Sequence, residues 1–417
     1  MKKKSVLSLL LAAIIASGCT SNKDKVDLPF IDVRKNYPEK ELILTDFADV
    51  TYVHLNAKNV DYLYKFYPQP GYFCITKNTI VVYDISSCSI LFFSKDGTPK
   101  SRVNRLGQGP QEYWVVTCIH YDEESDDLFV IYGQVNYIQV YSSTGEYKRK
   151  IPLHQKRMKV NSSVTLTKQV DVENLVSFDD QSFLMYASNH FGNYRKQDRT
   201  YDLPEYTTYY YISKTNGAVL ESFNLQGNGV YLSAEAPDDP GCFAVPNFFR
   251  LVKGSGGFFL CNPETDTVYL YTKDKSLVPV FRKIPAVRHL DPMVYLNNVV
   301  DATGYQFFRI ETLIWGDPGD RYPDRYYFRD KETNEIFRQK IVLPDYKGKD
   351  FFFGVGHSTG SGYHSAFEDE NGYVFLLDLF ELKQAYKENK LGGKLKELVA
   401  TLDEYNDNHV FMLVHFK

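Results

Sequence analysis

Tryptophan and methionine are scarce in this 417-residue chain, with 2 and 5 residues, and beyond the first 18 positions no apolar run approaches the ~18 residues that a membrane-spanning helix needs. No Cys-x-x-Cys pair occurs, which removes the usual zinc and thiol-exchange motifs. No His-Glu-x-x-His is present, and no glycine-rich stretch ends in Gly-Lys-Ser/Thr, so zincin and P-loop chemistry have no carrier. Neither charge sign dominates, at 48 basic against 52 acidic residues, and the sequence therefore offers no electrostatic footprint for nucleic acid. With 43% apolar and 24% charged residues, it is neither a disordered chain nor a simple fibre.

Aromatic residues are abundant instead. Tyr (33), Phe (29) and Trp (2) make 64 of the 417 residues, and such side chains suit half-buried pleated surfaces, so the composition leans towards β structure. At the N-terminus, Lys2, Lys3 and Lys4 precede an apolar stretch from Val6 to Ala16, and Ala16-Ser17-Gly18 precedes Cys19. A basic start, a short apolar region and a small-residue site read as an export signal over residues 1–18, with Cys19 placed as in a bacterial lipobox, where it is lipidated and becomes the mature N-terminus. Residues 19–41 then read as the lipidated cysteine and a polar tether, and residues 42–417 as the folded domain. Loss of the signal leaves 45 basic and 52 acidic residues, and the lipid on Cys19 is the expected contact with the membrane.

Five further cysteines, Cys74, Cys88, Cys118, Cys242 and Cys261, are an odd number for an exported chain and leave at least one free thiol. Cys74 and Cys88 fall on strands expected to lie two apart, about 10 Å and beyond disulfide reach. Buried, unpaired thiols are the expectation.

The informative feature is a repeat. An aromatic-rich strand, a turn signal and a second strand recur at Ile90–Gly97, Ile138–Gly145 and Tyr209–Gly217, with looser copies at Val268–Asp274 and Tyr326–Asn334. Asp-Gly and Asn-Gly between alternating apolar runs predict tight two-residue hairpin turns. The turn positions 96, 144, 216, 274 and 334 are about 60 residues apart on average, so six units fit between Leu42 and Lys417. Further short strands precede each hairpin, which makes four per unit. The predicted architecture is all-β: a six-bladed β-propeller of four-stranded antiparallel blades. Val50–Leu55 and Val410–Phe416 are lone strands at the two ends, and their pairing would close the ring and remove its open edges. Between Glu381 and Leu402 the pattern turns helical, with a break at Gly392-Gly393, and reads as a short helical insertion in the last blade.

Leu106-Gly107-Gln108-Gly109-Pro110-Gln111-Glu112-Tyr113, directly after the first hairpin, resembles the G-x-G-P-x-E-Y signature of the six-bladed β-propeller lipoproteins of Bacteroidetes, relatives of the NHL-repeat propellers. The resemblance covers essentially the whole mature chain. It departs at His54-Leu55-Asn56-Ala57, where that family has a Pro-Leu-Glu-Thr-like run. It implies an envelope lipoprotein of the outer membrane, associated with capture and import of glycans or peptides, and no catalytic set. The residues themselves give Gly107, Gly109 and Pro110 a plain role as a tight connection between blades, with Glu112 and Tyr113 capping or packing it.

Chemistry-bearing motifs are thin. Gly354 to Gly362 is glycine-rich but lacks a phosphate-binding ending and reads as the link into the sixth blade; His357 and His364 have no carboxylate between them and make a weak metal pair. Gly360-Ser361-Gly362 is only a truncated nucleophile elbow. Two insertions suit recognition better. Asn189–Thr207 carries Tyr194 and Arg195, and Trp315–Tyr326 carries Trp315, Arg321, Tyr322 and Arg325. Aromatic faces beside Arg and Asp suit sugar stacking with hydroxyl hydrogen bonds, or anchoring of a protein partner. The sequence therefore predicts a monomeric, envelope-anchored binding platform without cofactor or metal, for a glycan, a peptide or an envelope protein. The alternative is a propeller hydrolase or lyase with a metal or acid/base group in the central funnel.

Overall fold

A computed structural model describes residues 28–57, 60–64, 71–114, 116–132, 137–153, 156–159, 165–168, 176–186, 194–195, 200–201, 206–226, 234–236, 239–244, 251–262, 265–314, 324–354, 362–363 and 372–417. Strands of four or more per sheet form six blades. Blade 1 is Phe73–Ile75, Thr79–Asp84, Ser89–Ser94 and Pro99–Val103. Blade 2 is Val116–Asp122, Asp127–Tyr132, Tyr137–Tyr141 and Tyr147–Pro152. Blade 3 is Val176–Ser177, Ser182–Tyr186, Tyr206–Ser213 and Val219–Gln226. Blade 4 is Leu251–Gly254, Gly257–Leu260, Thr267–Thr272 and Leu277–Ile284. Blade 5 is Val294–Ala302, Tyr305–Thr312, Asp324–Asp330 and Ile336–Leu343. Blade 6 is Gly362–Tyr363, Gly372–Leu377, Val410–Phe416 and, last in space though first in sequence, Ala48–His54.

The number of blades follows from the packing as well as from the strands. Apolar clusters join blade 1 to 2, 2 to 3, 3 to 4, 4 to 5, 5 to 6 and 6 back to 1, a closed cycle of interfaces. Second strands are buried on both sides, as in Thr79–Asp84, and so read as continuous apolar runs such as Ile80-Val81-Val82-Tyr83. The fourth strands of blades 1 and 2, Pro99–Val103 and Tyr147–Pro152, alternate because one of their faces meets water. The first strands of blades 1 and 2, and of blades 4 and 5, approach one another, which places them innermost.

Closure is by antiparallel pairing from Ala48 with Phe416 to His54 with Val410, the arrangement that the two lone strands implied. The chain enters this strand along a path that the sequence did not reveal. Phe30–Asp32 lies parallel against Arg282–Ile284 on blade 4, and Glu39–Ile43 lies parallel against Arg338–Val342 on blade 5. Phe30–Asp32 and Glu39–Ile43 are therefore sheet edge rather than tether, and the folded part begins ahead of residue 42. Burial explains this, since Ile31, Val33 and Leu42 are all less than a tenth exposed, and Tyr37 packs edge-on against Tyr327 at 5.6 Å. The N-terminal segment thus runs as a belt over the outer edges of blades 4, 5 and 6.

The helical insertion is Leu379–Lys387 and Gly393–Thr401. Asp378 caps the first helix by accepting from Glu381 N–H, and Gly393, at φ +47°, takes the turn against the Asp345 carboxylate. Leu382, Leu395 and Val399 bury their side chains in the apolar cluster between blades 5 and 6. No helix among the described residues is long and apolar enough to cross a membrane, which says nothing of strands.

The five repeat hairpins are all present as third and fourth strands, but their turns differ from the two-residue form. Gly97 N–H donates to Ser94 O (2.8 Å) while Ser94 N–H donates to Thr98 O (2.8 Å), a three-residue loop in which Gly97 takes φ +88°. Gly145, Gly217, Lys275 and Asn334 hold the corresponding left-handed position in the other four. A Ser, Thr or Asp opens each loop and ties its backbone or side chains, as Asp330 does for Glu332 and Thr333 N–H. That local capping, rather than a second left-handed residue, stabilises the turn. The Cys74, Cys118 and Cys261 side chains are buried; Cys88 is half-buried and sits in a turn at φ +51° rather than on a strand.

Candidate functional site

Antiparallel strands send alternate connections to opposite ends of each blade. At one end lie the first-to-second and third-to-fourth connections, which in blades 1–5 span two to five residues. We call this the turn face. At the other end lie the second-to-third and blade-to-blade connections, which reach 19 residues between Tyr186 and Tyr206, 24 between Gln226 and Leu251, and 32 between Leu377 and Val410. This is the loop face, and both candidate insertions belong to it.

Tyr194 and Arg195 form a short ribbon whose backbone pairs with Tyr201 and Thr200, between the second and third strands of blade 3. The other insertion joins the same two strands of blade 5; Trp315, Arg321 and Tyr322 lie outside the described residues. Arg325, at the start of the third strand, donates to Val33 O (3.3 Å) and so ties the belt to blade 5. His357 and His364 also fall outside the described residues, as does Cys19.

At the loop-face end of blade 5 is a polar cluster that sequence reasoning missed. Arg309 Nη2 lies 2.8 Å from Glu311 Oε1, with both side chains under a tenth exposed, and the buried Tyr295 hydroxyl donates to the other carboxylate oxygen. The three side chains share one side of the blade because Arg309 and Glu311 are two apart on a strand and Tyr295 is opposite Glu311. The Arg309 guanidinium is 6.0 Å from the ring of Tyr326, which stacks on Phe352 at 4.7 Å. Gly354 closes the cluster: a Cβ there would come 3.1 Å from the Tyr326 ring and 3.2 Å from Arg309 Cβ, and its N–H donates to Tyr373 O–H (3.0 Å). The cluster therefore braces the loop-face end of blade 5, where the strands Tyr305–Thr312 and Asp324–Asp330 end and begin. Its signal in the sequence was two charges at alternate positions of the aromatic strand Tyr305–Thr312.

The Gly107–Tyr113 segment is the connection from blade 1 to blade 2 on the same face. Gly109 N–H donates to Glu112 Oε2 (2.8 Å), and a Cβ on Gly107 would lie 1.9 Å from that oxygen, so the carboxylate occupies the space that the glycines leave. Pro110 and Gln111 carbonyls accept from Gln139 Nε2 (3.2 Å) and Tyr141 O–H (3.1 Å) of blade 2. Tyr113 is fully buried, donates to Cys88 O (3.0 Å), and has its hydroxyl pKa pushed up to about 12 by that burial. The neighbouring Trp114 faces the other way and is 55% exposed, with Leu106 and Ile85 also exposed on this face. Among the described residues, no three His, Cys, Asp or Glu side chains gather to hold a metal ion.

A ring of six four-stranded blades, one face tight and the other carrying the long connections, defines a β-propeller. A family model described as a 6-bladed beta-propeller matches residues 20–240, more than half of the chain, and the chain belongs to that family. Among solved structures, an exported protein of Bacteroides fragilis is similar at 14% identity and a TM-score of 0.57, covering 91% of this chain and 98% of its own. A member of the duf4221 family from Bacteroides vulgatus is similar at 12% identity and a TM-score of 0.44, covering 89% and 97%. A luciferin-regenerating enzyme is similar at 8% identity and a TM-score of 0.38, covering 88% and 98%. No curated protein sequence matches the chain. At 14% identity the likeness to the Bacteroides fragilis protein carries the fold alone.

Proposed function

We propose that the chain is a monomeric envelope lipoprotein, anchored through Cys19 in the outer membrane, that binds a glycan or peptide on its loop face without transforming it. The asymmetry of the faces carries this reading. In blades 1–5 the turn face has connections of two to five residues, whereas the loop face carries both insertions rich in Tyr, Arg and Trp, together with the exposed Trp114. Long connections on a rigid ring are where recognition residues are placed without disturbing a core. The buried Arg309–Glu311 pair supports the reading, because a charge pair fixed by Tyr295 and Tyr326 braces the ends of the two strands that the blade 5 insertion joins. The likeness in fold to an exported protein of Bacteroides fragilis agrees with an envelope location.

The test is a glycan and peptide binding screen with the mature lipidated protein, compared with a triple variant, Trp315→Ala with Arg321→Ala and Tyr322→Ala, and with Trp114→Ala. At least one loop-face variant should lose about tenfold in affinity, roughly 1.4 kcal/mol, while melting stays unchanged and Glu332→Ala on the turn face binds normally. Binding that survives every loop-face change would refute the reading, and ligand recovered in cleaved form would replace it with the catalytic alternative.

A further inference from the structure

The outer rim of blades 3 and 4 exposes apolar side chains in an unusual concentration. Val219 and Leu220, at the start of the fourth strand of blade 3, are 44% and 58% exposed; Leu277 and Val278, at the same place on blade 4, are 39% and 42% exposed. Lys275 Nζ lies 2.6 Å from Glu221 Oε2 and joins the two strand ends, so the four apolar residues are neighbours on one rim. Beneath them, Phe223 stacks on Tyr271 at 4.4 Å, which fixes the two blades side by side. Among the described residues, the belt covers the edge of blade 4 from Arg282 to Ile284, and its first ring, Phe30, is itself 39% exposed with the Arg282 guanidinium 5.4 Å away. An apolar edge left open in this way is a liability in a free soluble ring.

The path of the chain says what covers it. Pro29 O accepts from Arg282 N–H (3.0 Å), and the parallel pairing directs Leu28 and Pro29 towards the turn-face end of this strand, where Leu277 and Val278 lie. Val278 is four residues from Arg282, about 13 Å along the strand. Leu28 is nine residues from Cys19, a reach of at most about 32 Å. A bilayer that holds Cys19 is thus within reach of this rim. The charges around it, Lys273, Lys275 and Arg282 with Glu221 and Asp274, are mixed, so contact would be apolar and nearly independent of salt.

We propose that Val219, Leu220, Leu277, Val278 and Phe30 form the surface that rests on the membrane, with the ring standing on its blade 3–4 edge and both faces open to solvent. This rests on the lipidation of Cys19 proposed above. The lipidated protein would be bound to vesicles of phosphatidylethanolamine and brominated phosphatidylcholine, and the quenching of an added tryptophan read out. Val278→Trp should show about twofold more quenching than the parent, as should Leu220→Trp, which serves if the first variant folds poorly, while Lys100→Trp on the opposite blade 1 edge should match the parent. Equal quenching at positions 278, 220 and 100 would overturn the proposal. Mass analysis of the N-terminal peptide and flotation of the parent against Cys19→Ser separate the two readings. A lipidated, floating protein with no rim quenching removes this orientation alone, and absence of both lipid and flotation removes the anchor and the orientation with it. A dimer that dissociates on Leu220→Glu with Leu277→Glu would assign the rim to a second copy instead.

Discussion

The two faces of the ring satisfy their backbone groups by different means. On the turn face each hairpin is self-contained: a Ser, Thr or Asp opens the loop, one left-handed residue ends it, and the loop then leans on the preceding blade. Gly97 packs against the His54 carbonyl, Gly145 against Val103 and Gly217 against the Pro152 carbonyl. On the loop face the partners come from distant parts of the chain. Asn408 holds Leu55 O (2.8 Å), Tyr62 O (3.0 Å) and Tyr64 N (3.0 Å), and His409 Nδ1 accepts from Leu379 N–H (3.1 Å) at the start of the first insertion helix. Local closure makes a face uniform and repeatable, whereas long-range closure lets each connection differ, which recognition requires.

Single changes should break this contrast by amounts that differ between the faces. The largest effect is expected at Arg309→Met, which strands the Glu311 carboxylate in the interface. About 3–5 kcal/mol should be lost in urea unfolding, and most of it should return in the double variant Arg309→Met with Glu311→Leu. If the single and double variants unfold alike, the pair is not a coupled element. Next is Gly217→Ala on the turn face, where a Cβ would come 1.9 Å from Pro152 O at φ +72°. A loss of about 2–3 kcal/mol is expected, against about 1 kcal/mol for Gly304→Ala, whose φ is also positive but whose surroundings are open. Equal losses at both glycines would mean that docking on the previous blade contributes nothing.

Tyr113→Phe removes the hydroxyl that donates to Cys88 O while leaving the ring in place, and should cost about 1–2 kcal/mol by thermal melting. The smallest effect concerns acid. Burial lowers the pKa of His409 below its ordinary value of 6.5, partly opposed by Asp378, and its Nδ1 acts as an acceptor. The neutral form is therefore favoured in the folded state, so the stability it brings is complete above pH 6.5 and is lost as pH falls below that value. Urea midpoints should fall between pH 7.5 and 5.5, and His409→Asn should reduce the drop by about 1 kcal/mol. An unchanged slope would exclude His409 as a contributor.

How much could be read from the sequence follows the same division. The repeat, the closing strand pair and the helical insertion were legible because Asp96-Gly97, Thr144-Gly145 and Asn216-Gly217 encode their geometry within a few residues. The turn length was misread because Asp-Gly suggests two left-handed residues, whereas only Gly97 has positive φ and the capping by Ser94 is a tertiary detail of the loop. The belt was illegible because Phe30–Asp32 is three residues long and Glu39–Ile43 mixes charges with Leu42; each is a strand only through the edge it meets. The Arg309–Glu311 cluster has the same character, since Tyr295, Tyr326 and Gly354 come from three other segments. For the two long insertions, residue type pointed to Trp315, Arg321 and Tyr322, but no local rule says where a long connection sends its side chains.

The belt also imposes an order on assembly. Ala48–His54 leaves the ribosome more than 360 residues before Val410–Phe416, the strand with which it pairs. At ordinary rates of synthesis that is a wait of roughly 20–70 s. Blades 1 to 3 can form in the meantime from neighbouring hairpins, but the edges that the first segment covers are among the last parts of the chain to be made. The N-terminal residues must therefore stay available until the C-terminal ones arrive, and loss of the last seven residues would leave the ring open at its beginning as well as its end.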